Sequence, residues 1–159
     1  MRKWFGMAAL IVVIDQITKY VIVQNFVLHE SLFVTSFFNL VRVHNAGASF
    51  SMLANAGGWQ RWLFIGVAVA ASIWVVWLIL RHPQQKLFCF ALTLILAGAV
   101  GNLIDRVLFG AVVDFLDFHY RGWSFPAFNV ADSSITCGAV LLILDGFRGE
   151  RRVATENKS

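Results

Sequence analysis

The chain has 159 residues, of which 58% are hydrophobic and 14% are charged, and its formal net charge at pH 7 is +4. Ordinary soluble domains contain about 25% charged residues, so this composition excludes a water-soluble globular domain and indicates a membrane protein. No linker rich in Pro, Gly or Ser and no internal repeat divides the sequence. We therefore expect a single domain over residues 1–148, followed by a charged tail at 149–159.

Long apolar stretches predict the helices. A bilayer core of about 30 Å is crossed by about 20 helical residues, and this requirement is met by residues 4–24, 59–80, 87–107 and 130–147. The first stretch resembles a secretory signal because Arg2 and Lys3 precede it. However, Asp15, Gln16 and Lys19 interrupt its apolar run, so we predict a retained spanning helix.

Two longer connections, residues 25–58 and 108–129, predict a small β-sheet. Residues 32–34 and 37–44 partly alternate aromatic or β-branched side chains with polar ones, as short strands with one apolar face do. In residues 123–128, Pro126 favours an edge strand or a turn. The expected fold is membrane α-helical, with four transmembrane helices and a small sheet, or cradle, on the outer (periplasmic) surface. Its aromatic residues suit the headgroup level.

Basic residues near the helix ends predict the orientation. Most cluster on one side of the membrane, namely Arg2, Lys3, Arg81, Lys86, Arg148, Arg151 and Arg152. The positive-inside rule puts this side, with both termini, in the cytoplasm of a multi-pass membrane protein. Topology thus accounts for the positive charge, and we expect no nucleic-acid partner. We expect the tail after residue 148 to be disordered in the cytoplasm and dispensable for chemistry.

Polar residues of the predicted helices gather toward their outer ends. Each helical residue advances about 1.5 Å along the axis, which places Asp15, Lys19, Asn102 and Asp105 in the outer half. Asp132 enters from the same side, in the first turn of the last helix. Charged groups at bilayer depth are costly, so they are functional hypotheses. Polar residues confined to the outer half of the helices are typical of a site that opens outward, not of an ion path through the membrane.

Structural interpretations also exist for these helical residues. Asp15 and Lys19 have the i, i+4 spacing of an intrahelical ion pair, with the acid first. Asn102, Asp105 and Arg106 share one face of their helix. Arg106 is able to extend to the headgroups while Asp105 neutralises it.

The residues outside the helices have structural interpretations as well. Asn129, followed three residues later by Asp132, resembles a capping box, and the helix N-terminus stabilises an ionised acid there. Asp114 and Asp117 fit solvated loop acids, and for Asp117 this is our prediction. Turn formation accounts equally well for two further residues, Asn45 and Gly47.

The cysteines and histidines give no sign of a metal or redox site. Cys89 and Cys137 are isolated within apolar segments, which favours buried small side chains over a disulfide or metal ligands. The four histidines are scattered without ligand spacing. We therefore expect no metal and no other cofactor.

Five segments in a fixed order resemble the motif blocks of one family. They are Asp15-Gln16-Ile17-Thr18-Lys19, Asn45-Ala46-Gly47-Ala48-Ser49-Phe50, Gly101-Asn102-Leu103-Ile104-Asp105-Arg106, Val112-Val113-Asp114-Phe115 and Phe128-Asn129-Val130-Ala131-Asp132. The chain is similar in these blocks to the bacterial lipoprotein signal peptidases, also called signal peptidase II. The resemblance covers nearly the whole chain and fades after about Arg148. Asp117 and His119, between the last two blocks, inherit no role from it.

The resemblance implies an aspartic endopeptidase of the inner membrane. Such an enzyme removes the signal peptide from diacylglyceryl-modified prolipoproteins, cleaving just before the lipidated cysteine. The implied partners are these prolipoproteins and membrane lipid, and no oligomeric state is implied. Asp114 and Asp132 match the catalytic pair. The positions that match residues lining, binding or supporting the site are Asn45, Gly47, Asn102, Arg106, Asn129, Asp15, Lys19 and Asp105.

Two neighbouring carboxylates suit this chemistry, because they do not both ionise cheaply and one keeps a proton at neutral pH. The hypothesis is that the charged member activates water while the protonated member donates to the carbonyl oxygen and then to the leaving amine. We expect Asp132, at a helix N-terminus, to ionise more readily. We also expect the segment around Phe33 to Phe50 to be a mobile clamp over the substrate.

Two other functional classes remain as alternatives. An ion- or proton-coupled transporter uses intramembrane charges, but it ordinarily has polar residues on the cytoplasmic side and repeat symmetry as well. A non-catalytic membrane scaffold would tolerate neutral replacement of Asp114 or Asp132.

Overall fold

The structure is a computed structural model that describes residues 1–47 and 57–156, with side chains described up to residue 147. Its helices are α1 (Arg2–Asn25), α2 (Trp59–Arg81), α3 (Lys86–Phe109) and α4 (Val130–Glu156), and its strands are β1 (Ser31–Thr35), β2 (Phe38–Asn45), β3 (Val112–Tyr120) and β4 (Trp123–Ser124). All four helices are long and apolar enough to cross a membrane, α4 through its segment Val130–Phe147. The predicted fold class, four spanning helices with a small sheet, is confirmed.

All four helices extend beyond their predicted ends, and among the C-terminal ends those of α3 and α4 do so by the most residues. α3 continues to Phe109 because Gly110 takes the left-handed conformation (φ 79°) and donates its N–H to Arg106 O, which closes the last turn. α4 runs through Glu156, so the expectation of a disordered tail is wrong for residues 149–156. Its Glu, Arg and Ala residues are good helix formers, and no proline interrupts them. Residues 157–159 lie outside the described part.

α3 is the central helix of the bundle. It packs against α1, α2 and α4. Half of the residues in its apolar, membrane-spanning part are buried in the protein, whereas 11% are buried in the corresponding part of α2. Glycines allow α3 and α4 to approach closely. A Cβ atom on Gly98 would collide with Ala131 O, and one on Gly138 would lie 2.6 Å from Ala91 O. This contact holds the first turn of α4, with Asp132, against α3.

Gly138→Ala tests how tightly α3 and α4 are packed. The new methyl group would lie within 2.7 Å of Ile95 Cγ1 as well as 2.6 Å from Ala91 O, so we expect overpacking to lower the free energy of unfolding by about 1–3 kcal/mol. Thermal unfolding in detergent measures the loss. Gly66→Ala is the matched control, because nothing lies within 4 Å of a Cβ at this α2 position. Equal stability of the two variants would contradict the close approach.

The sheet is antiparallel with strand order β1-β2-β3-β4. β1 and β2 overlap the segments predicted for strands, residues 32–34 and 37–44, and the short edge strand β4 lies within residues 123–128. β3 was not predicted, because acids at two positions break its apolar pattern. The prediction that Asp117 is a solvated loop acid is therefore wrong. Asp117 pairs opposite Asn39, and its carboxylate accepts hydrogen bonds from Asn39 Nδ2 and Ser124 Oγ, both at 3.2 Å.

The sheet is anchored at one end of the bundle, where α1 and α3 finish and α2 and α4 begin; we call this the sheet end. Val113 and Phe115 of β3 pack on Ile22 near the end of α1. Arg42 of β2 donates to Val23 O and to Phe26 O, at 3.1 and 2.7 Å. These bonds satisfy carbonyls that the end of a helix leaves free. The sheet is thus fixed directly above the helix ends that carry the polar residues.

Candidate active site

Asp114 and Asp132 reach the same cavity from different elements. Asp114 lies on β3 and is 3% exposed, whereas Asp132 lies in the first turn of α4. Both line a cavity of about 660 Å³ whose helical walls come from α2, α3 and α4. The end of β3, the strand β4 and a connecting loop separate the two acids in sequence. The fold brings them together at the sheet end.

Asn129 links the two acids. Its Nδ2 donates to Asp114 Oδ1 at 2.7 Å, and its Oδ1 accepts from the backbone N–H of Asp132 at 2.9 Å. Asn129 is fully buried and directly precedes α4, so it is the N-cap of this helix. The predicted capping box is thus only half formed, because the Asp132 carboxylate accepts from Asn102 Nδ2 at 2.7 Å.

Side-chain amides also contact each carboxylate from other elements. Asn102 of α3, besides binding Asp132, accepts from Lys19 Nζ at 3.1 Å and from Asn129 Nδ2 at 3.3 Å. Asn45, at the end of β2, donates to Asp114 Oδ2 at 3.2 Å. Its Oδ1 accepts from Gly47 N at 3.0 Å, so the predicted turn role and a site contact coexist in one residue.

Arg106 extends from α3 to the cavity. Its guanidinium donates to Gly47 O at 3.1 Å and lies 5.1 Å from the centre of the Phe64 ring. The structural interpretation in which Asp105 neutralises Arg106 is wrong, since Asp105 forms its ion pair with Lys19. Asn102 and Arg106 face the cavity, whereas Asp105 is directed at α1. Arg106 is therefore a cation available to a molecule in the cavity.

A buried ionic cluster supports the site from behind. Lys19 Nζ lies 2.8 Å from Asp15 Oδ2 and 2.9 Å from Asp105 Oδ2, so the predicted intrahelical ion pair is confirmed and is joined by a second acid. All three side chains are almost fully buried, which is tolerable because both carboxylates share the Lys19 ammonium and also accept hydrogen bonds from N–H donors. Asp15 accepts from Ala131 N at 2.8 Å, and Asp105 accepts from Val113 N at 3.1 Å.

Burial raises the pKa of Asp114 from its ordinary value to about 7, and the negative charge of Asp132 adds to the rise. Hydrogen bonds from Asn45 and Asn129 oppose it because they favour the carboxylate. Asp114 is therefore divided between its acid and its carboxylate form near neutral pH. A group in this state both gives and takes a proton readily.

The sequence did not indicate three residues that shape the site. Gln16 of α1 contacts Asp15 and Asp105; in the sequence it was marked only as a polar residue within an apolar run and as a member of the first motif block, without a role. Arg61 of α2 donates to Arg106 O and Val107 O at 2.9 and 2.8 Å, holding the end of α3. Phe64, one turn further along α2, stacks on Arg106. Nothing in the sequence marked the α2 residues, because their partners are distant along the chain.

The predictions for the cysteines and for the clamp have different outcomes. Cys89 is buried as expected, but Cys137 is exposed because it lies on the α4 surface that lines the cavity and not in the core. The last three residues of the predicted clamp, Ala48, Ser49 and Phe50, which also end the second motif block, lie outside the described residues. Among the described residues, no three His, Cys, Asp or Glu side chains are grouped to hold a metal ion.

Comparison with known proteins assigns the family. The family model for Signal peptidase (SPase) II matches residues 7–148. The chain belongs to the signal peptidase II family. It is 60% identical over 149 residues to the lipoprotein signal peptidase of Cupriavidus necator, covering 94% of this chain and 85% of that protein. It is 58% identical to the one of Ralstonia nicotianae, covering 94% and 86%.

A solved structure supports the same family at the level of the fold. A protein described as a bacterial membrane enzyme superposes with a TM-score of 0.85 at 34% identity, covering all of this chain and 93% of the other. This signal peptidase II is therefore a peptidase and a multi-pass bacterial membrane protein. Described residues from four of the five motif blocks line its cavity, and the first block contacts one of them, Asn102, through Lys19.

Proposed function

We propose that the enzyme removes the signal peptide from diacylglyceryl-modified prolipoproteins, cleaving just before the lipidated cysteine, with Asp114 and Asp132 as its acid and base. One observation carries the proposal. The two carboxylates line a single cavity within an apolar bundle and are tied together by Asn129. Two coupled acids in such an apolar setting provide the proton donor and the proton acceptor that amide hydrolysis requires.

In the proposed mechanism Asp114 begins as the acid and Asp132 as the carboxylate. Asp132 takes a proton from water as the oxygen bonds to the scissile carbonyl carbon, and Asp114 gives its proton to the carbonyl oxygen. The tetrahedral diol then collapses. Asp132 passes its proton to the nitrogen as the C–N bond breaks, while Asp114 recovers a proton from a diol hydroxyl. Both groups return to their starting states. The raised pKa of Asp114 and the position of Asp132 at a helix N-terminus support this division.

Donors around the pair are suited to hold the substrate. Asn45 and Arg106 line the cavity beside Asp114, and both carry N–H groups that are able to bind a peptide carbonyl. A fixed donor stabilises developing negative charge more strongly in a water-poor site than in bulk water. We propose that Asn45 and Arg106 bind the substrate backbone, and that Asn102 and Asn129 hold the two acids in place.

The shape of the cavity supports lateral entry from the bilayer. α2 and α4 both pack on α3, and the cavity lies between them. Below the acids it is lined by small or apolar side chains, including Ala68 and Ala71 of α2 and Ala99 of α3. A signal peptide helix and the acyl chains on its cysteine are thereby accommodated without entering water. We propose that the sheet end faces outward from the inner membrane and that both termini are cytoplasmic, as the positive-inside rule predicts.

The substrate is tested with two precursors of identical sequence, one carrying the diacylglyceryl group on its cysteine and one carrying a free thiol. We expect the purified enzyme in detergent to cleave the lipidated precursor before the modified cysteine and to cleave the free-thiol precursor far more slowly. Mass spectrometry of both products locates the cleaved bond. Equal rates on the two precursors would contradict the proposed substrate, and cleavage at another bond would contradict the proposed position.

The pKa of Asp114 predicts the basic side of the pH profile. Because the mechanism needs Asp114 protonated, and its carboxyl loses the proton as pH rises through about 7, the rate should fall above neutral pH. Asn45→Ala removes a donor that favours the carboxylate, so the pair should keep its proton to higher pH and the basic limb should move upward. Rates measured from pH 5 to 9 test this. A limb that stays fixed or moves downward in Asn45→Ala would contradict the assigned proton.

A further inference from the structure

Gln16 occupies an unusual position behind the site. Its Nε2 donates to Asp15 Oδ2 at 3.2 Å, to Asp105 Oδ1 at 3.0 Å and to Gly101 O at 3.2 Å. All three partners are acceptors, so the amide nitrogen and not the oxygen is directed at them. One neutral side chain of α1 thus joins two carboxylates from different helices and the backbone of α3.

Each of these carboxylates holds the backbone beside a proposed catalytic acid. Asp15 accepts the N–H of Ala131, the residue before Asp132, at 2.8 Å. Asp105 accepts the N–H of Val113, the residue before Asp114, at 3.1 Å. The distance from Asp15 to Asp105 therefore controls where the two backbone segments lie relative to each other.

We propose that Gln16 is a positioning residue that sets the separation of the Asp114 and Asp132 carboxylates, acting through Asp15 and Asp105 without touching either acid. This inference rests on the proposed Asp pair. Gln16 is suited to the role because its amide donates along fixed directions, whereas the ammonium of Lys19 rotates freely and acts as a point charge.

The contacts divide the work between the two α1 side chains. Lys19 pairs with the Oδ2 atoms of both acids, and its single positive charge so offsets part of their combined negative charge. Gln16 donates to the other oxygen of Asp105, Oδ1, and so fixes the rotation of a carboxylate whose Oδ2 binds Val113 N. Because Gln16 is uncharged, replacing it leaves the ion pairs in place. Its loss therefore changes position and not charge balance.

The decisive variant is Gln16→Met, which keeps the side-chain volume but removes both N–H donors. A misplacement of about 1 Å costs about 100-fold in rate, so we expect kcat to fall about 10- to 100-fold while KM for the lipidated precursor changes less than about twofold. Without the Gln16 bridge, the like-charged carboxylates of Asp15 and Asp105 are expected to move apart, and the backbone segments that carry Asp114 and Asp132 with them. A wider separation weakens the repulsion between the two catalytic acids, so the upper apparent pKa of the pair should fall. The basic limb of the pH profile should therefore move to lower pH.

The pH profile distinguishes a positioning role of Gln16 from a general loss of stability. Partial unfolding lowers the rate without shifting the pH at which the basic limb of the profile falls. The substitution removes no ionisable group: Asp15, Lys19, Asp105, Arg106 and His44 all remain near the pair. Of these, Asp15 and Asp105 lose the hydrogen bond from Gln16. Thr18→Val is the matched control on α1. The Thr18 hydroxyl donates to Ile14 O and Asp15 O within its own helix, so this variant should keep the wild-type kcat and profile.

Gln16→Asn provides a second variant if Gln16→Met does not fold. It keeps the amide but withdraws it by one methylene, so the same downward shift of the limb is expected, with a smaller fall in kcat. A folded Met or Asn variant with the wild-type profile would overturn the role of Gln16. Asp114→Asn and Asp132→Asn, measured in parallel, distinguish the two ideas, because full activity in either would overturn the Asp pair itself.

Discussion

Replacing either Asp114 or Asp132 with asparagine is expected to lower the rate of prolipoprotein cleavage about 10²- to 10⁴-fold, the usual contribution of a positioned acid or base. Asparagine keeps the size of the side chain, and its oxygen is still able to accept from Asn102 at position 132 and from Asn129 at position 114. At position 114 the bond from Asn45 is lost, because asparagine has an NH2 group in place of the second carboxylate oxygen. Asparagine neither takes a proton from water nor gives one to the substrate. The loss should therefore appear in single-turnover cleavage of the lipidated precursor, while thermal unfolding in detergent shows a folded protein.

The sheet itself offers the matched control. Asp117 lies on the same strand as Asp114, and its carboxylate binds Asn39 and Ser124 but does not line the cavity. Asp117→Asn is expected to cleave at close to the wild-type rate. Near-full turnover by a folded Asp114→Asn or Asp132→Asn protein would contradict the proposed catalytic pair.

Lys19→Met is expected to cause the largest loss of stability. The ammonium of Lys19 forms ion pairs with both Asp15 and Asp105, and all three side chains are almost fully buried. Removing one member of a buried ion cluster leaves uncompensated charge and typically costs about 3–5 kcal/mol. The unfolding midpoint in detergent should fall by roughly 10 °C, since 1 kcal/mol corresponds to about 2–4 °C in a chain of this size.

Two further variants define the cause of that loss. Lys86→Met removes an exposed lysine and should change stability by less than about 0.5 kcal/mol. The double variant Lys19→Met/Asp105→Asn removes one of the two unpaired charges and should recover part of the stability. A double variant no more stable than Lys19→Met alone would refute the charge explanation and favour lost packing of the lysine stem.

Sequence patterns were enough to predict the helices and most of the strands. The thickness of a bilayer fixes the length of an apolar span, so the predicted helices agree with the observed ones to within a few residues except at the end of α4. Local rules also predicted the Asp15–Lys19 pair and the cap from Asn129 to the Asp132 backbone. These features depend on neighbours within one helical turn, which is the range over which a pattern is readable.

Long-range contacts decided the rest. β3 forms because β2 pairs with it along its length, although acids break its apolar pattern. Asp105 pairs with Lys19 of α1 and not with the adjacent Arg106, and Cys137 is exposed at a cavity that exists only when α2 and α4 flank α3. The sequence by itself therefore determined the spans, the family and the candidate acids. Only the tertiary structure decided which side chains meet, because partners such as Gln16 and Asp105 come from helices far apart along the chain.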